Sequence, residues 1–309
     1  MLLIGGLLAV GLPGGTAVAS TTTTVPVGSA PYGVAVNPNT KIVFVANSGN
    51  GTVSVIDGRT NTVTATIPVG SAPFGVAVNP HTNTVYVTNS GDQNVSVIDG
   101  RTNTVTATIP VGTIPTGVAV NPNTNTVYVA NNGSDNSVSV IDGRTNTVTA
   151  TIEPGASPYA VAVNPNTNTV YVTGSATVFV IDGRTNTLTA TILDFGGPAS
   201  VAVNPNTNTV YVANSNGTVL VIDGRTNTVN ATITVGGDQT AVAVNPNTNT
   251  VYVTNATDNT VAVINGRTNT VTATIPVGTG PYGVAVNRNT NTVYVTNQNN
   301  NTVSVISER

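Results

Sequence analysis

A segment of about 42 residues recurs seven times along most of this 309-residue chain. Each complete copy contains four short runs in which Val alternates with small or polar residues, a pattern that indicates β-strands. Near-identical units of this length and strand content are typical of β-propeller blades. The sequence therefore predicts an all-β fold, a seven-bladed β-propeller of four-stranded antiparallel blades. The first strands of the seven blades are predicted to open at Pro31, Pro73, Pro115, Pro158, Pro198, Gln239 and Pro281.

The two ends of the chain together predict how the ring closes. The last copy has three strands and stops at Arg309, without the fourth strand of the other copies. Residues 20–31 align without a gap with residues 62–73, which contain a fourth strand. We therefore expect the N-terminal strand to complete the last blade, so that no terminal blade is left with an open face. Residues 20–309 would then form a single propeller domain.

Residues 1–19 differ from the repeats in composition. The stretch begins apolar and Gly-rich, is short for a membrane span, and ends in Ala17-Val18-Ala19, a small-residue pattern typical of signal-peptide cleavage. We expect a signal peptide cleaved after Ala19, the alternative being a disordered apolar tail. The mature chain would have no transmembrane helix. It would be secreted, extracellular or attached to the cell surface, or periplasmic where the host has an outer membrane.

Composition excludes several classes of function. Without cysteine the chain can form no disulfide, thiolate metal site or thiol nucleophile. A net charge of −3 and the lack of any Lys/Arg run leave no footprint for nucleic acid. The single histidine, His81, stands in a turn where other repeats have Asn, and we interpret it as a surface turn residue. We predict no cofactor; calcium in the Asn/Asp/Gly loops around Asp92 and Asp135 has weak support, because each loop holds one acid.

A turn with the sequence Asp-Gly-Arg-Thr-Asn follows the third strand in five repeats, with Asn in place of Asp in the sixth. Its Asp and Arg residues should form a ring on one face of the propeller. Such a ring could bind polyanions or polysaccharides. We favour the alternative, in which Asp caps the turn and Arg screens the charge locally.

The strand motifs resemble those of a known family. The sequence TVYVTN at Thr84–Asn89, Thr250–Asn255 and Thr292–Asn297, with VSVID and TVTATIPVG in the same repeat, resembles the YVTN-repeat β-propellers. The resemblance covers nearly all of residues 20–309 and implies a propeller exported to a bacterial or archaeal surface or periplasm, as in surface-layer and cell-surface proteins. Propellers of similar architecture include amine-dehydrogenase-like subunits, lactonases and antibiotic lyases, so the resemblance implies no single activity.

The residue directly after each opening residue varies around the predicted mouth of the channel. It reads Tyr32, Phe74, Thr116, Tyr159, Ala199, Thr240 and Tyr282. Ring closure makes blades seven, one and two neighbours, so Tyr282, Tyr32 and Phe74 should cluster. The connections into blades four, five and six carry acids. We predict a ligand-binding mouth, aromatic on one side and acidic on the other, formed by Tyr32, Phe74, Tyr159, Tyr282, Glu153, Asp194 and Asp238. Alternatively, the aromatic residues wedge between blades and the acids are solvated.

These observations favour a non-catalytic binding scaffold. Its partner would be a glycan, another cell-surface protein or a small ligand at the channel mouth. One alternative is a metal-assisted hydrolase or lyase of the lactonase type, which should show several acids converging on one entrance. A second alternative is a structural repeat protein of a surface coat, favoured by the near-uniform blades. No residue is assigned a catalytic or metal-binding role.

Overall fold

The computed structural model describes residues 20–155 and 157–308. Within these ranges the chain forms 28 strands, arranged in seven four-stranded antiparallel sheets, and no helix. Each sheet is one blade, and six of the seven are built from four strands consecutive in the chain, as the repeat predicts. No helix in these ranges could therefore cross a membrane. The predicted signal peptide, residues 1–19, lies outside the described residues.

The innermost strands of the blades surround the central axis. They are β2 (Pro31–Val36), β6 (Pro73–Asn79), β10 (Pro115–Asn121), β14 (Val161–Asn164), β18 (Pro198–Asn204), β22 (Gln239–Asn245) and β26 (Pro281–Asn287). Six begin at the residue expected from the repeat. The strand β14 begins three residues after Pro158, although the backbone N–H of Tyr159 still donates to the carbonyl of Thr173 in the next strand.

The other strands follow outward from the axis in chain order. The second strands are β3 (Ile42–Asn47), β7 (Thr84–Asn89), β11 (Thr126–Asn131), β15 (Thr169–Thr173), β19 (Thr209–Asn214), β23 (Thr250–Asn255) and β27 (Thr292–Asn297). The third strands are β4 (Thr52–Asp57), β8 (Asn94–Asp99), β12 (Ser137–Asp142), β16 (Thr177–Asp182), β20 (Thr218–Asp223), β24 (Thr260–Asn265) and β28 (Thr302–Glu308). The outer strands are β1 (Ser20–Pro26), β5 (Thr62–Pro68), β9 (Thr104–Pro110), β13 (Thr147–Ile152), β17 (Thr187–Leu193), β21 (Thr228–Thr234) and β25 (Thr270–Pro276).

The N-terminal strand closes the ring, which confirms the prediction from the two chain ends. The strand β1 pairs antiparallel with β28 from Ser20 opposite Glu308 to Pro26 opposite Thr302. Blade seven thus has the order β1-β28-β27-β26. Its innermost strand, β26, contacts β2 of blade one, and the innermost strands of all other neighbouring blades also touch. The first and last segments of the chain are therefore joined in one sheet.

The hydrophobic core is divided among the seven seams between blades. One cluster of buried residues occupies each seam, and each cluster combines Val and Ile side chains from two neighbouring blades. The aromatic residue of each second strand is completely or almost completely buried there: Phe44, Tyr86, Tyr128, Tyr171, Tyr211, Tyr252 and Tyr294. Burial of such a side chain contributes about 1.5–3 kcal/mol. These aromatics are therefore core residues, as the sequence indicated.

Each blade has an upper and a lower end. We call upper the face formed by the connections into the innermost strands and the loops between second and third strands. The lower face carries the turns after the first and third strands. The second-strand Tyr hydroxyls point to this lower side: Tyr128 donates to the carbonyl of Gly183, in the Asp-Gly-Arg turn of the next blade, at 3.3 Å. Burial raises the pKa of Tyr128 to about 12, so that its hydroxyl stays protonated.

Candidate functional site

A backbone irregularity places the aromatic residues at the upper mouth of the channel. In blades one, two, three and seven, the pairing of the innermost strand skips two residues after the opening proline, as between Pro31 and Val34. The second skipped residue is a glycine in these four blades, and a Cβ on Gly33 would lie 2.4 Å from the carbonyl oxygen of Phe74. Only glycine allows the next blade to approach so closely. The residue between the proline and the glycine, such as Tyr32, is thus released from regular pairing.

Four aromatic rings meet at this mouth. The rings of Tyr32 and Tyr282 are 4.6 Å apart at 70°, and those of Tyr32 and Phe74 are 4.9 Å apart at 34°. Phe74 also contacts Tyr282 and Tyr159 edge-on, each at 5.8 Å between ring centroids. The structure therefore brings Tyr282, Tyr32 and Phe74 together as expected. We call these three residues, together with Tyr159, the mouth cluster.

Tyr159 joins the mouth cluster from the opposite side of the ring. Blade four lies across the axis from blade seven, yet the hydroxyl oxygens of Tyr159 and Tyr282 are 2.5 Å apart. The mouth cluster thus spans the upper end of the channel instead of lining one side of it. Burial is the main reason why the pKa values of both tyrosines are raised, so both hydroxyls stay neutral near pH 7. The four side chains are only partly buried and keep exposed surface.

The three predicted acids occupy different environments. Glu153 and Asp238 are exposed. The charge of Asp238 contributes, as the smallest of several causes, to the raised pKa of Tyr282. Asp194, in contrast, is only 4% exposed. The structure therefore does not gather the three carboxylates at one entrance.

Asp194 is held between the outer and second strands of neighbouring blades. Its Oδ1 accepts hydrogen bonds from the backbone N–H of Gly196 at 3.0 Å and from Nδ2 of Asn214 at 3.2 Å. Its Oδ2 is buried without a partner. Burial raises the pKa of this carboxyl above its ordinary value. Five blades have Val at the equivalent position, namely Val27, Val69, Val111, Val235 and Val277, whose backbone N–H groups make the same strand-end bond.

Two rings of side-chain hydrogen bonds fasten the blades at the lower face. In six seams, an Asn at the end of the innermost strand donates through Nδ2 to Oδ1 of an Asn in the next blade, at 2.6–2.8 Å. Two residues further along, a second side chain bonds to a backbone carbonyl of the next blade in all seven seams. The repeated Asn residues of this chain are therefore inter-blade connectors.

His81 belongs to the second of these rings. Its Nδ1 lies 3.0 Å from the carbonyl oxygen of Pro122, where Asn39 in the preceding blade donates to Pro80 at 3.0 Å. The histidine replaces an Asn and keeps the same inter-blade contact. This environment agrees with its interpretation as a turn residue.

We expect His81→Asn to change the free energy of unfolding by less than about 0.5 kcal/mol, because Asn makes this bond in the other six blades. His81→Ala removes the bond and should cost about 1 kcal/mol. Chemical denaturation of both variants measures the difference. A loss of ligand binding in His81→Asn at unchanged stability would instead give the histidine a functional role.

The Asp-Gly-Arg turns are held by local bonds, as favoured from the sequence. The five Asp–Arg pairs have N–O distances of 3.2–3.5 Å, and their arginine side chains are 61–80% exposed. The backbone N–H of Arg101 is the main cause of the lowered pKa of Asp99. Exposed pairs of this kind contribute little to stability.

The loops considered for calcium use their carboxylates for internal bonds. Oδ2 of Asp92 accepts from the backbone N–H of Ser71 at 2.7 Å, and Asp135 accepts from the backbone N–H of Thr113 at 3.0 Å. Over residues 20–155 and 157–308, no group of three or more His, Asp or Glu side chains is placed to hold a metal ion. Calcium binding stays a prediction without further support.

Shallow grooves lie between blades away from the axis. One of about 400 Å³ separates blades five and six at the lower face and is lined by Asn208, Asp223 and Arg225 among others. Two further grooves, of about 410 Å³ and 310 Å³, lie between blades seven and one and between blades two and three. Because their lining residues belong to the repeat, these grooves do not mark one position as special.

Sequence reasoning found the mouth cluster but missed two features of the site. It did not predict that Tyr159 reaches Tyr282, although the sevenfold ring puts blades four and seven on opposite sides of a channel that two tyrosines can span. It also placed Asp194 at the mouth. The sequence did contain a signal: Asp194 stands at a position where five other blades have Val, which indicates a buried environment.

Comparison with known proteins supports the fold. A family model described as a YNCE-like beta-propeller matches residues 69–183. No curated protein matches the chain. The solved structure of Kuenenia stuttgartiensis hydrazine synthase is similar, with a TM-score of 0.83 at 21% identity over 90% of this chain and 95% of that chain. Likeness at this identity concerns the fold alone. The strand order and the partial family match together support a β-propeller family for this protein.

Proposed function

We propose that this chain is an exported β-propeller of the YVTN-repeat type that binds a glycan through the mouth cluster. The repeat motifs and the composition of residues 1–19 support export to the cell surface or periplasm. The observation that carries the binding proposal is the meeting of four partly exposed aromatic rings from blades one, two, four and seven. The mouth cluster thereby covers the channel and forms an aromatic platform held by the ring of blades.

The chemistry of the platform fits a sugar. Aromatic faces pack against the apolar C–H faces of a pyranose, and tyrosine hydroxyls form hydrogen bonds with its hydroxyl groups. Asp238, which is exposed and whose charge acts on Tyr282, would add a carboxylate acceptor. The rings already contact one another, so little side-chain freedom is lost when a ligand binds.

The alternative of a metal-assisted hydrolase or lyase has weaker support. Such an enzyme needs several acids at one entrance, whereas Asp194 is buried away from the exposed Glu153 and Asp238. A purely structural role in a surface coat would leave the platform unexplained. Glycan binding accounts for the aromatic residues at the positions where the other blades have Thr or Ala.

Exchange of the aromatic platform tests this function. We expect Tyr32→Ala and Tyr282→Ala to weaken binding of soluble cell-wall oligosaccharides by a factor of about 10 or more, because each removes a stacking surface. Tyr282→Phe keeps the ring and removes the hydroxyl, which separates stacking from hydrogen bonding. Titration calorimetry measures the affinities.

Arg184→Gln, on the lower face, is the matched control and should bind as the wild type does. The variants should remain folded, since the mouth cluster lies outside the seven seam clusters. Unchanged affinity of both Tyr→Ala variants for an oligosaccharide that binds the wild type would refute the platform as the site. An oligosaccharide panel without any binder would refute the glycan proposal.

A further inference from the structure

One of the seven lower seams lacks a bond that the others have. Asn287 lies at the end of β26. In each of the other six blades, the Asn at this position donates a hydrogen bond through Nδ2 to an Asn of the next blade. The residue opposite is Lys41 of blade one, which replaces the acceptor Asn and takes the same left-handed backbone conformation, with φ of 65°. Lys41 offers no side-chain acceptor. Asn287 is 0% exposed, and its Nδ2 has no partner.

A positive charge also stands next to Asn287 in the chain. Arg288 follows Asn287 and replaces the Pro of the other six repeats, and its side chain is exposed. Lys41 brings a second cation, and it is close enough to Asp57 to help lower the pKa of that carboxyl. Asp57 itself pairs with Arg59. Within the described ranges, the structure shows no ion pair for Lys41 or Arg288.

The third strands of blades six and seven lack the Asp that ends this strand in the other five blades, although Glu308 follows Ser307 directly in blade seven. The position of Asp57 in blade one is taken by Asn265 in blade six and by Ser307 in blade seven. Arg267 therefore keeps only a backbone bond to Asn265 where five other blades have an Asp–Arg pair. Two departures from the repeat, at Lys41 and Arg288, thus add positive charge next to Asn287, while Asp57 is the acid that this seam retains.

We propose that the lower end of the seam between blades seven and one binds an oxyanion group, such as a phosphate, sulfate or carboxylate. One oxygen of the anion occupies the place of the missing Asn Oδ1 and accepts the hydrogen bond from Nδ2 of Asn287. The ammonium of Lys41 and the guanidinium of Arg288 neutralise its charge from the solvent side. The anion thereby gives the buried Nδ2 of Asn287 a hydrogen-bond acceptor. A buried donor without an acceptor lowers the stability of the folded state.

The site lies on the face opposite to the mouth cluster and does not depend on the proposed glycan binding. Its geometry is specific to this seam, since each of the other six seams already has an amide oxygen in the acceptor position. The Arg residues of blades one to five are also unsuitable, because each is paired with its own Asp. The structure thus distinguishes one anion site from a general basic surface.

Inorganic phosphate is the first probe. We expect the melting temperature of the wild type to rise saturably with millimolar phosphate at constant ionic strength and pH, since a ligand of the native state stabilises it by mass action. Lys41→Asn should abolish this rise. The same substitution supplies the missing Oδ1 and should by itself raise the melting temperature without phosphate by about 2 °C. The two readouts therefore move in opposite directions.

Further variants complete the test. Arg288→Pro restores the residue of the other repeats and should weaken the phosphate effect, whereas Arg184→Gln, in a turn with its own Asp, should leave it unchanged. A wild type that shows no saturable shift, or a Lys41→Asn variant that shifts as the wild type does, would overturn the proposal.

The source of the oxyanion is distinguished by a second titration. Calorimetry with inorganic phosphate and with an anionic wall polysaccharide compares the free ion with a polymer. Binding of the polysaccharide at least tenfold tighter, lost in Lys41→Asn, assigns the site to a polymer. Equal or tighter binding of phosphate, lost in the same variant, assigns it to the free ion. Failure of both probes to bind refutes the site.

Discussion

Deletion of residues 20–27 lowers the melting temperature of the propeller by about 10 °C or more. The deletion removes β1, which pairs with β28 along seven residue positions. It also removes Val25, which is 3% exposed and packs in the seam between blades seven and one with Val303 and Val305. Loss of Val25 and of the partly buried Val27, with the exposure of the Val303 and Val305 side chains that they cover, costs on the order of 5 kcal/mol. The exposed edge of β28 adds a tendency to associate. Thermal unfolding followed by circular dichroism measures the change, and gel filtration measures association.

A pair of point variants isolates the contribution of packing from that of chain length. Val25→Asp puts a charge into the seam and should destabilise strongly, whereas Thr24→Asp, on the neighbouring exposed position, should have little effect. A synthetic peptide of residues 20–27 should restore part of the lost stability when added to the deleted chain. A deleted chain that melts at the wild-type temperature would exclude closure by β1.

Most of this fold follows from the sequence because the signal repeats. A single Val-rich run does not identify a fold. Seven aligned copies with the same turns predict one regular architecture, the β-propeller. The closure was predictable because the N-terminal run aligns with outer strands such as β5 without a gap. The skipped pairing after Pro31 was not predictable, since it depends on how closely the next blade approaches Gly33.

The candidate sites were predictable only where departures from the repeat could be placed in space. Tyr32 and Tyr282 were expected to meet because ring closure makes their blades neighbours. The environment of Asp194 depends on the packing of a strand end against Asn214, which no pattern in the sequence describes. Lys41 carried no signal by itself. Its meaning comes from Asn287, a residue 246 positions away that it leaves without an acceptor.

Replacement of Asp194 should stabilise the protein at neutral pH. The carboxyl group is buried and its Oδ2 has no partner, so the charged form is held in an unfavourable environment. Asp194→Val removes this carboxyl group and introduces the residue that five other blades have at this position. Asn214 keeps its hydrogen bond to Thr218 at 3.2 Å. We expect the free energy of unfolding at pH 7 to rise by about 1–3 kcal/mol, the range for an unsatisfied buried polar group. Urea denaturation measures it.

The sign of the pH dependence provides the stricter test. The folded-state pKa of Asp194 is raised above that of the unfolded chain. The native protein therefore binds this proton more tightly, and wild-type stability falls as the pH rises from about 4 through the folded-state pKa. The advantage of Asp194→Val should accordingly be small at pH 4 and reach its full value at neutral pH. If the gain in unfolding free energy of Asp194→Val were the same at pH 4 and at pH 7, burial of the charged carboxylate would not be its cause.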